Sequence, residues 1–78
     1  MDYTRKELVF NLALELATKT KDFPKNKFAS QHNWDQWHKD VDYTWFNVLK
    51  LKANSDEENL FTDTIQKQLK IINDFRGE

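Results

Sequence analysis

Cysteine is absent from this 78-residue chain. Its absence excludes disulfides and any metal site built from thiolates. A chain of this length buries only roughly 60–65% of the surface that its unfolded form exposes, so its core is modest. Self-association is the remaining way to supplement that core, and we expect it here. The lack of cysteine also fits a reducing compartment, and we expect the protein to be cytoplasmic.

Glycine and proline each occur once, as Gly77 and Pro24. A single glycine cannot build the glycine-rich loop that cradles phosphates, which excludes P-loop and dinucleotide-binding enzymes. The scarcity of turn residues also argues against β-hairpins, and no apolar–polar alternation persists long enough to predict a sheet. The sequence therefore predicts an all-α fold.

Long apolar runs and an excess of one charge are missing as well. No apolar segment approaches the roughly 20 residues that span a bilayer, and residues 1–4 lack the basic region of a secretory signal. Lysine and arginine total 12 against 13 aspartates and glutamates, giving a net charge of −1. We therefore expect neither membrane association nor general binding to nucleic acid. A helix-turn-helix is disfavoured because helix two carries Asp35, Asp40 and Asp42.

Three amphipathic segments predict a small three-helix bundle that forms a single domain over residues 1–78. Helix one, about residues 4–19, begins at the capping box Thr4–Glu7. Helix three, about residues 56–76, begins at a second capping box, Ser55–Glu58. Gly77 suits its end.

Helix two is predicted over about residues 34–53, with Asn33 or Ser30 as its N-cap. It is the weakest of the three, because Val41–Leu51 contains several β-forming residues. Its inward stripe follows spacings of three and four and consists of Trp34, Trp37, Val41, Trp45, Val48 and Leu49.

The segment Thr20–Asn33 is predicted to be a basic loop between helices one and two. The lysines in or beside it are Lys19, Lys21, Lys25 and Lys27. Phe23 and Phe28 lie among them. Because aromatic faces can hold a base while ammonium groups bind phosphate, this segment gives an alternative function. The protein would then be an oligomeric sequestrant of a nucleotide-like anion.

Few residues could carry catalysis or hold a metal. Of the two serines, Ser55 is explained as a helix cap, and Ser30 has no predicted oxyanion loop beside it. Asp35, His38 and Asp42 share one stripe of helix two, but this spacing is ordinary on a solvated face and no fourth ligand accompanies it. We therefore assign no catalytic residue, no metal site and no cofactor, and we expect that the protein is not an enzyme.

Helix one carries a wider apolar arc than a three-helix bundle needs to cover. The arc continues past the inward residues to Phe10 and Leu14, which lie one turn apart. We predict that these two side chains form the contact of a homodimer. In a competing interpretation, the loop that contains Phe23, Pro24 and Phe28 folds back and covers them within one chain.

The outer side of helix two indicates a contact with another protein. Tyr43 and Phe46 lie outside the tryptophan stripe and share their side with Lys39 and Lys50. Aromatic residues beside charged ones are typical of protein interfaces. Our leading hypothesis is a non-enzymatic protein-binding module that occupies a partner surface, as a regulator or inhibitor encoded by a phage or another mobile element. The suggested origin rests only on size, composition and the lack of catalytic residues.

Overall fold

The computed structural model describes residues 4–24 and 27–76, without the side chains of Lys27, Ala29 and Arg76. Within these ranges the chain forms the predicted all-α three-helix bundle. Its α-helices are α1 (Arg5–Lys19), α2 (Lys27–Tyr43) and α3 (Asp56–Arg76). A 3-10 turn, Thr20–Asp22, follows α1, and a π-helical turn, Thr44–Val48, continues α2. None of the helices in the described ranges is both long enough and apolar enough to cross a membrane.

The two predicted capping boxes mark the starts of α1 and α3. Thr4 Oγ1 accepts a hydrogen bond from the backbone N–H of Glu7 at 3.1 Å, and Ser55 Oγ accepts one from the backbone N–H of Glu58 at 3.1 Å. The Glu58 carboxylate accepts from the backbone N–H of Asn54, one residue earlier than in a standard box. Both starts are thus confirmed, whereas the predicted end at Gly77 lies outside the described residues.

The predicted start of α2 is wrong. The helix begins at Lys27, seven residues earlier than expected, so Ser30 and Asn33 lie inside it and do not act as caps. Alanine, lysine and glutamine are good helix formers, and no glycine or proline interrupts the segment after Pro24. The loop between α1 and α2 is correspondingly short. The α-helix also ends ten residues before the predicted residue 53, at Tyr43.

The helices run up, down and up, so that α1 and α3 are parallel. The first turns of both meet where Arg5 Nε lies 3.1 Å from Glu57 Oε2, and the two helices pack against each other along their length. The middle helix runs in the opposite direction. Its Trp37 indole N–H donates to the backbone oxygen of Leu16 in α1 at 2.7 Å.

The core lies where the three helices meet. The α1 side chains in it form one stripe of buried residues, Val9, Ala13, Leu16 and Ala17. From the rest of the chain come Trp37, Leu49, Leu51, Phe61 and Ile65. Trp37 is buried as predicted, whereas Trp34 and Trp45 are half-buried and pack against the core.

Two predicted inward residues of α3 are exposed. Ile71 and Phe75 lie in its last turns, and Phe75 retains 89% exposure. For Phe75 the reason is length, because α3 has 21 residues and the parallel α1 has 15. The last turns of α3 therefore extend beyond the end of α1, and Ile72 is the final buried residue. Ile71 lies on another side of the helix from its buried neighbour Ile72.

The apolar arc of α1 is wider than the bundle covers. Leu8 on one flank and Phe10 on the other stay exposed, with Phe10 at 43%. The competing interpretation, in which the loop covers Phe10, does not hold. Phe23 instead packs edge-on against Trp34, with ring centroids 5.1 Å apart, and Phe28 is exposed in the first turn of α2.

Candidate protein-binding surface

The π-helical turn shapes the end of α2. Its wide hydrogen bond joins the backbone N–H of Leu49 to the backbone oxygen of Thr44 at 2.8 Å, and the N–H of Leu51 reaches the oxygen of Trp45 at 3.0 Å. The Thr44 hydroxyl donates to the backbone oxygen of Asp40 at 2.9 Å. Lys50 then adopts a left-handed conformation, with φ of 51°, and the chain turns towards α3.

Three large side chains point away from the core at this end of α2. Tyr43 is 61% exposed and Phe46 is 67% exposed. They are three residues apart, which places them on neighbouring positions of one helical side. Val48 is exposed as well. We call these three residues the aromatic surface.

Val48 was predicted to face the core, and the π turn explains why it does not. A π-helical turn contains one more residue than an α-helical turn, so side chains after it are rotated relative to the α-helical projection. Leu49 takes the inward position and is buried, and Leu51 is buried beyond it. The π turn therefore moves one apolar side chain from the predicted core to the surface.

The aromatic surface rests on packed side chains. The ring of Phe46 lies 6.2 Å from that of Trp45 between centroids, and Trp45 packs edge-on against Phe61 at 5.9 Å. Phe61 is fully buried. The buried Leu49 and Leu51 hold the other end of the turn against the core. Both ends of the turn therefore pack against the core, and the exposed rings project from a packed base.

An apolar cleft between α2 and α3 borders the aromatic surface. Its volume is about 240 Å³. Trp45 lines this cleft, and its ring also contacts the ring of Phe46. The other lining residues are Trp37, His38, Val41, Phe61, Thr62, Ile65 and Gln66. The sequence placed Trp37 and Trp45 on the inward stripe of helix two, and no spacing in it indicated a cleft against helix three.

The two predicted partner-binding lysines lie in different parts of the fold. Lys39 is exposed on α2 four residues before Tyr43, which places the two side chains on the same helical side. Lys50 is also exposed, but it follows the π turn and lies outside the helix. The helical projection that grouped Lys50 with Tyr43 therefore does not apply to it. Lys39 thus keeps the position that the helical projection gave it, and Lys50 follows the turn two residues after Val48.

The four lysines of the alternative anion site are not gathered on one loop. Lys19 ends α1 and Lys21 lies in the 3-10 turn, both exposed. They share a crevice with two acids, Glu15 and Asp22. Lys25 and the side chain of Lys27 lie outside the described residues. The positive charge of the described pair is thus offset by neighbouring carboxylates.

The side chains that could carry chemistry have structural contacts. The Ser55 hydroxyl donates to the backbone oxygen of Lys52 at 2.7 Å while it caps α3. Asp35 accepts a hydrogen bond from Gln31 Nε2 at 2.9 Å, and the His38 ring packs against Trp37 with centroids 5.2 Å apart. Across residues 4–24 and 27–76, no three histidines, aspartates or glutamates are arranged to hold a metal ion.

The predicted self-association residues lie on a different side of the molecule. Phe10 and Leu14 line a crevice between α1 and α3, and its other lining residues are Leu60, Asp63, Thr64, Lys67 and Gln68. The aromatic surface belongs to α2 and its π turn. The structure therefore separates the two predicted contact regions.

Comparison with models of protein families, with curated proteins and with solved structures gives no significant match to this chain. A function must consequently be argued from the residues themselves.

Proposed function

We propose that this protein is a non-enzymatic binding module that docks on another protein through the aromatic surface. The observation that carries the proposal is the exposure of two neighbouring rings, Tyr43 at 61% and Phe46 at 67%, on a packed base. Rigid aromatic side chains contribute a large contact area at a low cost in conformational entropy, and they are frequent among the residues that dominate binding energy.

The surroundings of the aromatic surface indicate the chemistry of the partner. Phe46 and Val48 would enter an apolar depression on the partner, and the Tyr43 hydroxyl would hydrogen-bond at its rim. Lys39 favours a partner carboxylate on that rim. The cleft beside Trp45 could in turn receive one apolar side chain from the partner.

A chain of 78 residues that works in this way acts by occupying a surface. We therefore propose a regulator or inhibitor as its role, with a phage or another mobile element as its source and the cytoplasm as its location. The size and composition of the chain support this part of the proposal.

The test compares two double variants with matched changes. Tyr43→Ala with Phe46→Ala removes the aromatic surface, and Phe28→Ala with Phe75→Ala removes two exposed rings elsewhere. Tagged versions of both are used to capture proteins from cells of the native host, with quantification by mass spectrometry. We expect the first double variant to capture at least about tenfold less of one protein than the unaltered chain does. The second double variant should capture as much of that protein as the unaltered chain.

The thermal midpoints of both double variants should stay close to that of the unaltered protein, because all four rings are exposed. Equal loss of capture in both double variants would contradict a specific role for Tyr43 and Phe46. Full retention in the first double variant would contradict the proposed surface.

The alternative function, an oligomeric sequestrant of a nucleotide-like anion, has its own test. Changing Lys21, Lys25 and Lys27 to glutamine would abolish such an activity while leaving the thermal midpoint nearly unchanged. The acids beside Lys19 and Lys21 make this outcome the less favoured one. Loss of partner capture in the triple lysine variant, with retention in Tyr43→Ala/Phe46→Ala, would replace the proposal by this alternative.

A further inference from the structure

A small pocket lies between the end of α1 and the first half of α2. Its volume is about 160 Å³. Sites for drug-sized ligands occupy roughly 300–1,000 Å³, so this pocket suits a ligand of one small ring system. Its apolar lining consists of the half-buried Phe23 and the buried Trp37. The pocket shares no residue with the aromatic surface, so a ligand here would be additional to the proposed partner.

Contacts within the bundle hold the two aromatic rings of the pocket in place. Phe23 packs perpendicular to Trp34 with ring centroids 5.1 Å apart, and Trp37 packs edge-on against the same Trp34 at 5.3 Å. The indole N–H of Trp37 already donates to the backbone oxygen of Leu16. Phe23 and Trp37 therefore offer a ligand apolar contact and stacking instead of hydrogen bonds.

The polar lining can both donate and accept hydrogen bonds. Asn33 and Gln36 supply carboxamides, and His32 supplies an imidazole. In the part of the chain that the structure describes, neither carboxamide has a hydrogen-bond partner. Lys19 and Asp40 complete the lining. One ammonium group is thus balanced by one carboxylate, which favours an uncharged ligand over an anion.

The antiparallel packing of α1 and α2 places the two charges at opposite ends of the pocket. The hydrogen bond between Trp37 and Leu16 joins residues of similar height on the two helices. Lys19 lies three residues beyond Leu16, which is about 4.5 Å towards the start of α2. Asp40 lies three residues beyond Trp37, which is about 4.5 Å towards the end of α2. Asn33 shares the Lys19 end of the pocket.

We propose that this pocket binds a free nucleoside whose base carries an exocyclic amine. The base packs against Phe23 and Trp37, as bases do on aromatic side chains. Its amine donates to the carboxylate of Asp40, which accepts hydrogen bonds but cannot donate one to an oxo group. At the other end of the pocket, Asn33 and Lys19 donate to the acceptor atoms of the ring.

The charges near the pocket favour a free nucleoside over a base within a single strand. A single strand is held by a positively charged groove that follows its backbone. In the neighbouring crevice, Lys19 and Lys21 lie with the two acids Glu15 and Asp22. A phosphate backbone gains little from such a balanced surface, so the base itself is the recognised group.

The first test compares cytidine with uridine, whose bases have an amine and an oxo group at the same position. Two-dimensional ¹H–¹⁵N NMR of the unaltered chain follows the side-chain amides of Asn33 and Gln36 during each titration. We expect saturable shifts with a cytidine Kd of roughly 0.1–1 mM and at least about tenfold weaker binding of uridine. No saturable shift up to about 10 mM cytidine, or equal binding of the two nucleosides, would overturn the proposal.

A short oligocytidylate strand tests the assignment to a free nucleoside. It should bind no more than about threefold tighter than cytidine at about 0.15 M salt. Tighter binding that falls steeply with added salt would place the base within a single strand and overturn this assignment.

The second test changes the carboxylate that reads the amine. Asp40 is exposed, and its backbone oxygen accepts from the Thr44 hydroxyl without the carboxylate, so folding is not at risk. Asp40→Asn should reduce the preference for cytidine over uridine to within about twofold, because a carboxamide can donate to the oxo group. Asp42→Asn is the matched control, since this exposed aspartate of α2 does not line the pocket. It should keep the preference, and equal behaviour of the two variants would contradict the role of Asp40.

The third test removes the aromatic ring beside the base. Phe23→Leu keeps an apolar side chain and should weaken cytidine binding about fivefold through the loss of stacking. Phe28→Leu, at an exposed ring that does not line the pocket, should leave cytidine binding unchanged. Circular dichroism confirms that both variants are folded at the temperature of the titration. Unchanged binding in a folded Phe23→Leu variant would overturn the placement of the base against Phe23.

Discussion

The Trp37 side chain joins two helices by both packing and hydrogen bonding. Its ring is buried, and its indole N–H donates to the Leu16 carbonyl at 2.7 Å. Replacing it by alanine leaves a large cavity, so we expect Trp37→Ala to lower the free energy of unfolding by about 3–5 kcal/mol. Trp37→Phe keeps most of the packing and should cost about 1–2 kcal/mol through the unpaired carbonyl.

Urea denaturation followed by circular dichroism measures both losses. Trp45→Ala serves as a comparison, because Trp45 is only half-buried and its removal should cost less than that of Trp37. A cost of less than about 1 kcal/mol for Trp37→Ala would mean that the ring is not part of the core.

The connection from α2 to α3 contains two residues other than glycine with left-handed backbones, Lys50 with φ of 51° and Asn54 with φ of 63°. A side chain with a Cβ is strained in this region, and asparagine tolerates it better than lysine. We therefore expect Lys50→Gly to raise the free energy of unfolding by about 0.5–1 kcal/mol, and Asn54→Gly to raise it less.

Lys52→Gly is the control for this connection. No positive φ is found at Lys52, so glycine there gains nothing in the folded state and adds freedom to the unfolded chain. We expect it to lower the urea midpoint. If Lys50→Gly lowered the midpoint as much as Lys52→Gly, relief of strain would not be the dominant effect at residue 50.

Local signals explain why α1 and α3 were predicted well. Thr4 and Ser55 each precede a glutamate by three residues, and such a reciprocal cap acts within one turn without help from the tertiary fold. Asn33 and Ser30 also read as caps, yet both lie within α2. A cap residue can be overridden when the residues before it are good helix formers and the growing helix buries apolar surface.

Only part of the candidate surface was predictable from the helical spacing of its residues. Tyr43 and Phe46 are as exposed as the helical projection suggested, whereas Val48 and Lys50 are not where it placed them. A single extra residue per turn has no clear sequence signature, because it depends on how Leu49 and Leu51 fit the core. The binding role of Tyr43 and Phe46 stays a prediction.

At the scale of the whole molecule, Arg5 connects three parts of the fold. Its guanidinium donates to the backbone oxygen of Leu49 and to the carboxylate of Glu57, so it links α1, the end of the π turn and α3. Leu49 is buried, and removing the donor leaves its carbonyl without this partner. We expect Arg5→Ala to lower the free energy of unfolding by about 1–2 kcal/mol, mostly through that carbonyl.

The ion pair itself should contribute little, because both side chains are substantially exposed and solvent screens their charges. Glu57→Gln is therefore expected to cost less than about 0.5 kcal/mol, as is Lys6→Ala, which removes an exposed cation beside Arg5. Urea denaturation of the three variants separates the contributions. A loss in Glu57→Gln equal to that in Arg5→Ala would assign the stabilisation to the charge pair instead.

All three tryptophans lie on α2 and the turn that continues it, and α1 and α3 contain none. The chain therefore carries an intrinsic fluorescent label on one helix only. Its emission reports the docking of the middle helix, and circular dichroism reports all three helices together. If the two signals change at the same urea concentration, α2 detaches only when α1 and α3 also separate from each other. If the emission changes at a lower urea concentration than the circular dichroism, α1 and α3 stay packed together after α2 has detached.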